Sequence, residues 1–315
     1  MKRIAVVDVG TNTVLLTVVE RTEEGGFQVL HDEQRFGRLG QGVDASRRIL
    51  PEAMQRVRDV LLDYQNTCLA FGVSDVWVGG TSASRDAHNQ AELTAYMRAE
   101  TGWDYHLVSG EKEAEWSFRG ALALLPEVRE ACVVLDIGGG STEVILGDAA
   151  SGSIQYRRSF DAGSIRIRER FMPDLPVSPQ ALADATTFVQ NNWYQVAAEN
   201  PVLPDENRTL IAVAGVGTAL ALLESGADDW DVRQVTQNII PTHRLEAWFS
   251  RVKARSAHEV LALNEGVLFG RQDVLIASLL LLHSFATHFG FPQIHISTGG
   301  WRHGRALEML DDFGG

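Results

Sequence analysis

Apolar residues along the chain fall into short runs typical of buried strands and longer segments with helical spacing. In the first half, the predicted strands are Ile4–Val7, Leu15–Glu20, Phe27–Glu33, Val76–Gly79 and Tyr105–Val108. Helices are predicted from Pro51 onward, through Leu93–Met97 and after Ser109, because apolar side chains recur there at helical spacing. This alternation of strands and helices predicts an α/β fold with mixed sheets.

The same alternation restarts after Pro126. There the predicted strands are Cys132–Leu135, Glu143–Leu146, Ile154–Ser159, Leu210–Ala214 and Ile294–Ser297, and the predicted helices are Gln180–Glu199, Arg244–Arg255 and Asp273–Phe289. Since 315 residues suffice for two medium domains, we predict an N-terminal domain over residues 1–125 and a C-terminal domain over residues 126–300. A helix at about residues 301–315 is expected to return to the first domain.

Two segments repeat one motif, in which an apolar strand is followed by an aspartate and then by glycine with small polar residues. They are Asp8-Val9-Gly10-Thr11-Asn12-Thr13 and Asp136-Ile137-Gly138-Gly139-Gly140-Ser141-Thr142-Glu143. Glycine allows close backbone approach, so that successive N–H groups can form a concave site for phosphate oxygens. A carboxylate among such donors fits a hydrated Mg²⁺ better than a bare anion. For either loop alone an ordinary strand and turn is an equal alternative, but the repeat favours two similar domains that face each other across phosphate and a metal ion.

Two further strands end in the same kind of loop, at Gly215–Thr218 and Thr298–Gly300. In open α/β sheets, ligands bind at the carboxyl ends of the strands. All four loops are therefore expected to line one phosphate-binding cleft.

Composition limits the functions that this chain can have. A hydrophobic content of 45% with 22% charged residues is typical of a soluble globular protein, and the longest apolar run, Val274–Leu282, is too short to span a bilayer. The chain starts without an apolar leader, and its two cysteines, Cys68 and Cys132, suit reduced core thiols in a cytoplasmic protein. The net charge of −13 argues against nucleic acid as a partner.

Arginines nevertheless cluster in two places, with five between residues 157 and 170 and four between residues 35 and 48. Such groups are usually solvated surface, but beside phosphate-binding loops they also fit a cationic track for a polyanion. Both interpretations stay open from the sequence.

Six motifs, in their order and spacing, carry a resemblance to a known family. They are Asp8–Thr13, Gly79–Ala87, Ser109–Ala114, Leu135–Glu143, Ala162–Arg166 and Gly270–Asp273. Together they resemble the exopolyphosphatase/guanosine pentaphosphate phosphohydrolase family of the actin–hexokinase–chaperone superfamily, over residues 4 to about 308. The resemblance implies two ribonuclease-H-like, actin-like lobes with the active site in the cleft between them, in a homodimer. At this length the chain is similar to the short, two-lobed members.

The resemblance also implies roles for single residues. Glu113, in a Ser-Gly-x-x-Glu-Ala segment, is similar to the family's catalytic glutamate, and the start of a helix would favour its negative charge. Asp136 and Glu143, with Asp8 from the other lobe, would hold Mg²⁺, with Mn²⁺ as the alternative ion. The residues predicted to bind phosphate, from the loops and the resemblance, are Gly10, Thr11, Asn12, Thr13, Arg85, Gly138, Gly139, Gly140, Ser141, Thr142, Arg166, Gly217, Thr218 and Arg271.

The activity that the resemblance implies is that of an exopolyphosphatase, which removes terminal phosphate from inorganic polyphosphate. Hydrolysis of guanosine pentaphosphate is the close alternative, because both reactions use the same phosphate machinery. A kinase of the same superfamily would share the two Asp–Gly loops, but Glu113 in its motif favours water as the acceptor. A nucleotide-dependent filament or chaperone module is the remaining alternative, and the compact length argues against the chaperone form.

Overall fold

The computed structural model describes residues 2–23, 26–200, 203, 208–235 and 239–312. The chain divides into two compact units: unit 1 comprises Met1–Gly120 and Trp301–Gly315, and unit 2 comprises Ala121–Gly300. The predicted domain boundary, after residue 125, lies just beyond the boundary between these units. Residues 313–315 of the predicted terminal helix lie outside the described residues.

Unit 1 is built on a five-stranded mixed sheet with the strand order β3-β2-β1-β4-β5. Its strands are β1 Arg3–Val9, β2 Thr13–Arg21, β3 Phe27–Phe36, β4 Asp75–Gly80 and β5 Tyr105–Leu107. Its helices are α1 Val43–Ser46, α2 Pro51–Ala70, α3 Ser82–Asp86, α4 Gln90–Thr101, α5 Gly110–Ala123 and α13 Trp301–Asp312. β1 runs antiparallel to β2 and parallel to β4, and β4 runs parallel to β5.

Unit 2 is built on a six-stranded mixed sheet with the order β10-β11-β9-β6-β7-β8. Its strands are β6 Ala131–Ile137, β7 Thr142–Asp148, β8 Ser153–Phe160, β9 Thr209–Val213, β10 Ile239–Pro241 and β11 Gln293–Ile296. Its helices are α6 Ser164–Phe171, α7 Pro179–Glu199, α8 Gly215–Ser225, α9 Thr242–Val252, α10 Ala257–Leu261, α11 Glu265–Leu268 and α12 Leu275–His288, with a 3₁₀ turn at Val232–Gln234. No helix of the described chain is long and apolar enough to cross a membrane.

The two sheets share one topology. Read from β8, the order β8-β7-β6-β9-β11 has the same pairing directions as β3-β2-β1-β4-β5, and β10 is an addition at the edge. The repeated motif lies at the same place in both sheets, because the β1–β2 hairpin closes at the pair Val9 and Val14 and the β6–β7 hairpin closes at Ile137 and Thr142. The prediction of an α/β fold with two mixed sheets is confirmed.

Helices cover both faces of the sheet in unit 1. Side chains alternate along β1, so that Val7 and Val9 pack in the cluster of α2 and α4, whereas Ile4 and Val6 pack in the cluster of α5 and α13. By the same alternation Asp8 lies on the face of α5 and α13. The helix that carries Glu113 therefore covers the sheet face on which the first aspartate lies.

A buried polar cluster, formed by Thr17, Asp32, Arg302 and His303, joins α13 to β2 and β3. Arg302 Nη2 lies 2.8 Å from Asp32 Oδ2, and Arg302 Nε donates to Thr17 Oγ1 at 2.7 Å. Burial alone would raise the pKa of Asp32, but the Arg302 charge and the hydrogen bonds from Arg302 and Thr17 hold that pKa below its usual value. Burial and the Arg302 charge lower the pKa of His303 to about 3, so that its ring is neutral near pH 7.

The fully buried ring of His303 predicts that acid destabilises the fold. Because the folded-state pKa is below the usual 6.5, the unfolded chain binds a proton that the folded chain excludes. The contribution of neutral His303 to the free energy of unfolding is therefore fully present above about pH 6.5. It falls by about 1.4 kcal/mol for each pH unit between about 6.5 and the folded-state pKa of about 3. Urea unfolding at pH 7 and pH 5, followed by circular dichroism, should show a loss about 2 kcal/mol larger for the wild type than for His303→Gln. Equal losses in the two proteins would contradict this assignment.

Several helices lie where the sequence pattern predicts none. The predicted helices at Pro51, Leu93–Met97 and Gln180–Glu199 are confirmed as α2, α4 and α7. By contrast, α6 and α8 were not predicted: α6 lies in the arginine-rich segment, and α8 begins in the glycine-containing loop at residue 215. Tertiary packing explains α8, because all residues from Val216 to Leu222 are buried.

Candidate active site

The carboxyl ends of three parallel strands bring the candidate residues of unit 1 to one edge of its sheet. Asp8 pairs with Gly79 across β1 and β4, and Gly80 pairs with Leu107 across β4 and β5. Arg85 follows β4 on α3, and Glu113 follows β5 on α5. The three charged side chains therefore start from the same edge, which is where α/β sheets bind ligands.

Glu113 is held in a defined position at the start of α5. The Ser109 hydroxyl accepts from the Lys112 N–H at 3.2 Å and so caps this helix. Glu113 lies in the first turn and is only 6% exposed. Arg85 Nη1 donates to Glu113 Oε2 at 2.5 Å and to the Val108 carbonyl at 2.7 Å. The guanidinium thus fixes the carboxylate to the end of β5.

Asp8 lies beside a buried phenol. The Tyr105 and Ser84 hydroxyl oxygens are 2.7 Å apart, and burial raises the pKa of Tyr105, with the Asp8 charge acting in the same direction. The phenol therefore stays protonated beside the carboxylate. Asp8 itself is 9% exposed.

The first glycine turn, residues 10–13, is closed by a hydrogen bond from the Gly10 N–H to the Thr13 carbonyl at 2.8 Å. The segment 38–40 supports it, since the N–H groups of Arg38 and Gly40 donate to the carbonyls of Asn12 and Thr11, both at 2.9 Å. A Cβ atom on Gly40 would lie 2.1 Å from Thr11 Cγ2, so that only glycine allows this approach. Sequence reasoning did not identify this support.

The second glycine loop, residues 138–141, forms the same turn in unit 2, with the Gly138 N–H donating to the Ser141 carbonyl at 3.0 Å. Asp136 occupies the penultimate position of β6, as Asp8 does in β1. Thr142, at the start of β7, directs its hydroxyl to the Ala162 carbonyl at 2.6 Å. The repeat that was seen in the sequence is therefore a repeat of backbone geometry.

Asp136 and Glu143 stand directly opposite each other on β6 and β7 and are 7% and 1% exposed. Opposed like charges destabilise a sheet, so the pair favours a nearby cation. The Ser159 hydroxyl donates to Glu143 Oε1 at 2.7 Å and orients it. No group of three or more His, Cys, Asp or Glu side chains is arranged to hold a metal ion within the described ranges. Two carboxylates nevertheless fit Mg²⁺, which keeps several of its waters.

The other residues of unit 2 that the sequence predicts to bind phosphate contact protein groups in the structure. Arg166, 4% exposed on α6, donates from Nε to the Gly140 carbonyl at 2.8 Å. At the start of α8, Gly217 packs near Ile296, and the Thr218 hydroxyl donates to the Ala214 carbonyl at 3.2 Å. Their predicted contacts to phosphate stay predictions.

Arg271 lies near the start of α8, with the centre of its guanidinium 3.4 Å from the centroid of the Trp230 ring. Its Nε is close to Gly215, the first residue of α8. Burial lowers the pKa of Arg271 below its usual value, because desolvation disfavours the charged form of the guanidinium. Nothing in the sequence pattern pointed to Trp230.

In each cluster, arginines at the surface lie near carboxylates. Arg158 pairs with Glu199, and Arg35 Nε lies 2.8 Å from Glu33 Oε1. Arg48 Nη2 lies 3.6 Å from Glu92 Oε2. These pairs agree with the solvated-surface interpretation and weaken the argument for a continuous cationic track.

Comparison with known proteins assigns the chain to a family. The sequence model of the Ppx/GppA phosphatase family matches residues 18–313. The chain belongs to this family. The Ppx/GppA family member is 30% identical over 322 residues to Exopolyphosphatase 2 of Mycobacterium tuberculosis, with 98% of this chain and 99% of the relative covered. It is 27% identical over 314 residues to the guanosine-5'-triphosphate,3'-diphosphate pyrophosphatase of Vibrio atlanticus, with 98% of this chain and 59% of the relative covered.

Solved structures support the same assignment. The crystal structure of an exopolyphosphatase from Cytophaga hutchinsonii is 26% identical and gives a TM-score of 0.86, with 99% of this chain and 98% of that chain covered. The predicted family and its actin-like fold class are thereby confirmed for this Ppx/GppA family member. The predicted enzyme class, a hydrolase of phosphoanhydrides, is confirmed as well.

Proposed function

We propose that this Ppx/GppA family member is an exopolyphosphatase, which hydrolyses the terminal phosphoanhydride bond of inorganic polyphosphate. The observation that carries the proposal is Glu113, a buried carboxylate that Arg85 holds at the carboxyl edge of the sheet in unit 1. A carboxylate fixed in this way can accept a proton from water. The name of the Mycobacterium tuberculosis relative supports the same substrate.

The proposed mechanism gives each unit its own part of the chemistry. Glu113 accepts a proton from the attacking water, and Arg85 orients the carboxylate through their 2.5 Å contact. In unit 2, N–H groups of the 138–141 loop stabilise the negative charge of the phosphoryl oxygens. Mg²⁺, held by Asp136 and Glu143, would neutralise charge on the phosphate chain when bound.

Guanosine pentaphosphate is the alternative substrate, and the named activity of the Vibrio atlanticus relative favours it. That relative is longer, however, because the alignment covers only 59% of it. The relative that is matched over 99% of its length carries the exopolyphosphatase name. We therefore place polyphosphate first.

Phosphate release from purified protein tests the proposal. Polyphosphates of several lengths, guanosine pentaphosphate and ATP are compared, with and without Mg²⁺ and without any added acceptor. We expect Mg²⁺-dependent release that is fastest from polyphosphate, and release without an acceptor excludes the kinase alternative. Intact polyphosphate contradicts the proposal, and a preference for guanosine pentaphosphate above about tenfold in kcat/KM, about 1.4 kcal/mol, favours the alternative.

Three further expectations from the sequence and the family resemblance remain part of the proposal. Dependence on Mg²⁺ or Mn²⁺ is tested by chelation followed by return of each ion. The homodimer is tested by sedimentation of the purified protein, and the cytoplasmic location by fractionation of cells that produce it.

A further inference from the structure

The carbonyl groups of Gly138, Gly139 and Gly140 in the second glycine loop all point toward the start of α6. The Gly138 carbonyl accepts from the Ser164 N–H at 2.9 Å, and the Gly139 carbonyl accepts from the Ile165 N–H at 2.8 Å. The Gly140 carbonyl accepts from the Gly163 N–H at 3.2 Å. These N–H groups of the first turn of α6 would otherwise lack partners, so that the loop and the helix satisfy each other.

The direction of these carbonyls fixes the direction of the next N–H groups along the chain. In a trans peptide unit the C=O and the following N–H point to opposite sides. The N–H groups of Gly139, Gly140 and Ser141 therefore point away from α6. Three successive N–H groups with one orientation form the kind of concave site that binds phosphate oxygens.

Arg166 holds the last of these carbonyls with its side chain. Its Nε donates to the Gly140 carbonyl at 2.8 Å, and its Nη2 lies 3.8 Å from Oδ1 of Asp161, which is largely exposed. The arginine is itself almost fully buried, at 4% exposure. A hydrogen bond from a charged donor is about twice as strong as one between neutral groups. Its removal would leave this carbonyl with one donor fewer, beside the Gly163 N–H at 3.2 Å, and would hold the 140–141 peptide less firmly.

A close contact between the backbones of Gly163 and the loop restricts the conformations that the loop can adopt. A Cβ atom on Gly163 would lie 2.4 Å from the carbonyl carbon and oxygen of Gly139. The start of α6 is therefore pressed directly against the loop. From this helix the Arg166 side chain reaches the carbonyl of the 140–141 peptide.

We propose that Arg166 is a positioning residue, which turns the N–H groups of Gly140 and Ser141 toward the substrate phosphate instead of contacting phosphate itself. The proposal rests on the proposed function, because it assumes that this loop binds the phosphoryl group. It changes the role that the family resemblance implies for Arg166, from a phosphate ligand to a support of the loop.

Two variants separate these roles, because glutamine and methionine place different groups at the position of the arginine Nε. The amide nitrogen of glutamine is as many bonds from Cα as Nε of arginine, so that Arg166→Gln keeps the donor to Gly140 and removes the charge. Arg166→Met places a methyl group there and removes both. We expect kcat/KM for polyphosphate to be about tenfold to a hundredfold lower in Arg166→Met than in Arg166→Gln, which corresponds to the loss of one buried hydrogen bond. The loss should appear mainly in kcat, since the loop acts on the phosphoryl group in the transition state.

The matched control is Asp161→Asn, which removes the exposed partner of Arg166 and leaves the Nε bond in place. We expect wild-type kcat/KM for this variant. Equal losses in Arg166→Gln and Arg166→Met, with recovery in Arg166→Lys, would show that the charge contacts phosphate and overturn the proposal. Wild-type activity in Arg166→Met would overturn it as well. If Arg166→Met does not fold, the test rests on Arg166→Gln alone. In that case a kcat/KM more than about tenfold below the wild-type value overturns the proposal.

A measurement without turnover separates this proposal from the proposed function. With ¹⁵N-labelled glycine, the amide signals of Gly139 and Gly140 are followed while inorganic phosphate is added. We expect phosphate to shift these signals in the wild type and Arg166→Gln, and to shift them less in Arg166→Met. This result would support the role of Arg166 even if polyphosphate were not the substrate. Equal shifts in all three proteins would overturn it.

Discussion

The Glu113→Gln variant is expected to hydrolyse polyphosphate about a thousandfold more slowly than the wild type, within the range of about 10²–10⁴ that general base catalysis contributes. Glutamine keeps the size of the side chain and can still accept from Arg85 through its carbonyl oxygen. It cannot take a proton from water. The loss should therefore appear in kcat, with KM changed little, when initial rates of phosphate release are measured over a range of polyphosphate concentrations.

The control for this experiment lies on the same helix. Glu111 is also in the first turn of α5, but its side chain is exposed. Glu111→Gln removes the same charge at nearly the same distance from the helix start, and we expect it to keep wild-type kcat. Near-normal turnover in Glu113→Gln, or equal losses in both variants, would remove Glu113 from its proposed role.

The repeated Asp–Gly turns were predictable because the information is local. A buried strand, an aspartate and a glycine lie within ten residues in each copy, and each copy folds into the same hairpin closed by the same hydrogen bond, at Gly10 and at Gly138. Such features need no knowledge of distant contacts. The strands other than β10 followed in the same way, as did the helices α2, α4, α5, α7, α9, α12 and α13.

The roles of the arginines were not predictable, because they depend on packing between distant segments. The cluster from residue 157 to 170 reads as one charged run, yet Arg158 pairs on the surface while Arg166 is buried under the glycine loop. Arg85 and Glu113 were predicted as separate site residues. Their hydrogen bond exists because β4 and β5 are parallel neighbours, which the sequence pattern does not specify.

The partners of the buried ion pair lie far apart along the sequence. Asp32 and Arg302 are 270 residues apart, and neither stands in a motif. A charged residue in a strand or helix is read as exposed unless a partner is known. Only the docking of α13 on β2 and β3 explains why this pair is buried.

Removal of one partner of that ion pair should strongly destabilise unit 1. Arg302 is 9% exposed, and the side chain of Asp32 is 14% exposed. Two nitrogens of the guanidinium, Nε and Nη2, contact the carboxylate. The Arg302→Met variant leaves the Asp32 charge buried without its main counter-charge. We expect a loss of about 3–5 kcal/mol in the free energy of unfolding, measured by urea denaturation at pH 7.

The same helix supplies a control for this prediction, because Asp311 forms a surface pair with Arg119 of α5. Asp311→Asn also breaks an ion pair of α13, but both of its side chains are well exposed, so we expect a loss of about 1 kcal/mol or less. The double variant Asp32→Leu with Arg302→Met removes both buried charges and should recover most of the loss, since apolar replacement of a buried pair is often neutral. If the double variant is less stable than Arg302→Met alone, the loss comes from packing of these side chains and not from the uncompensated charge of Asp32.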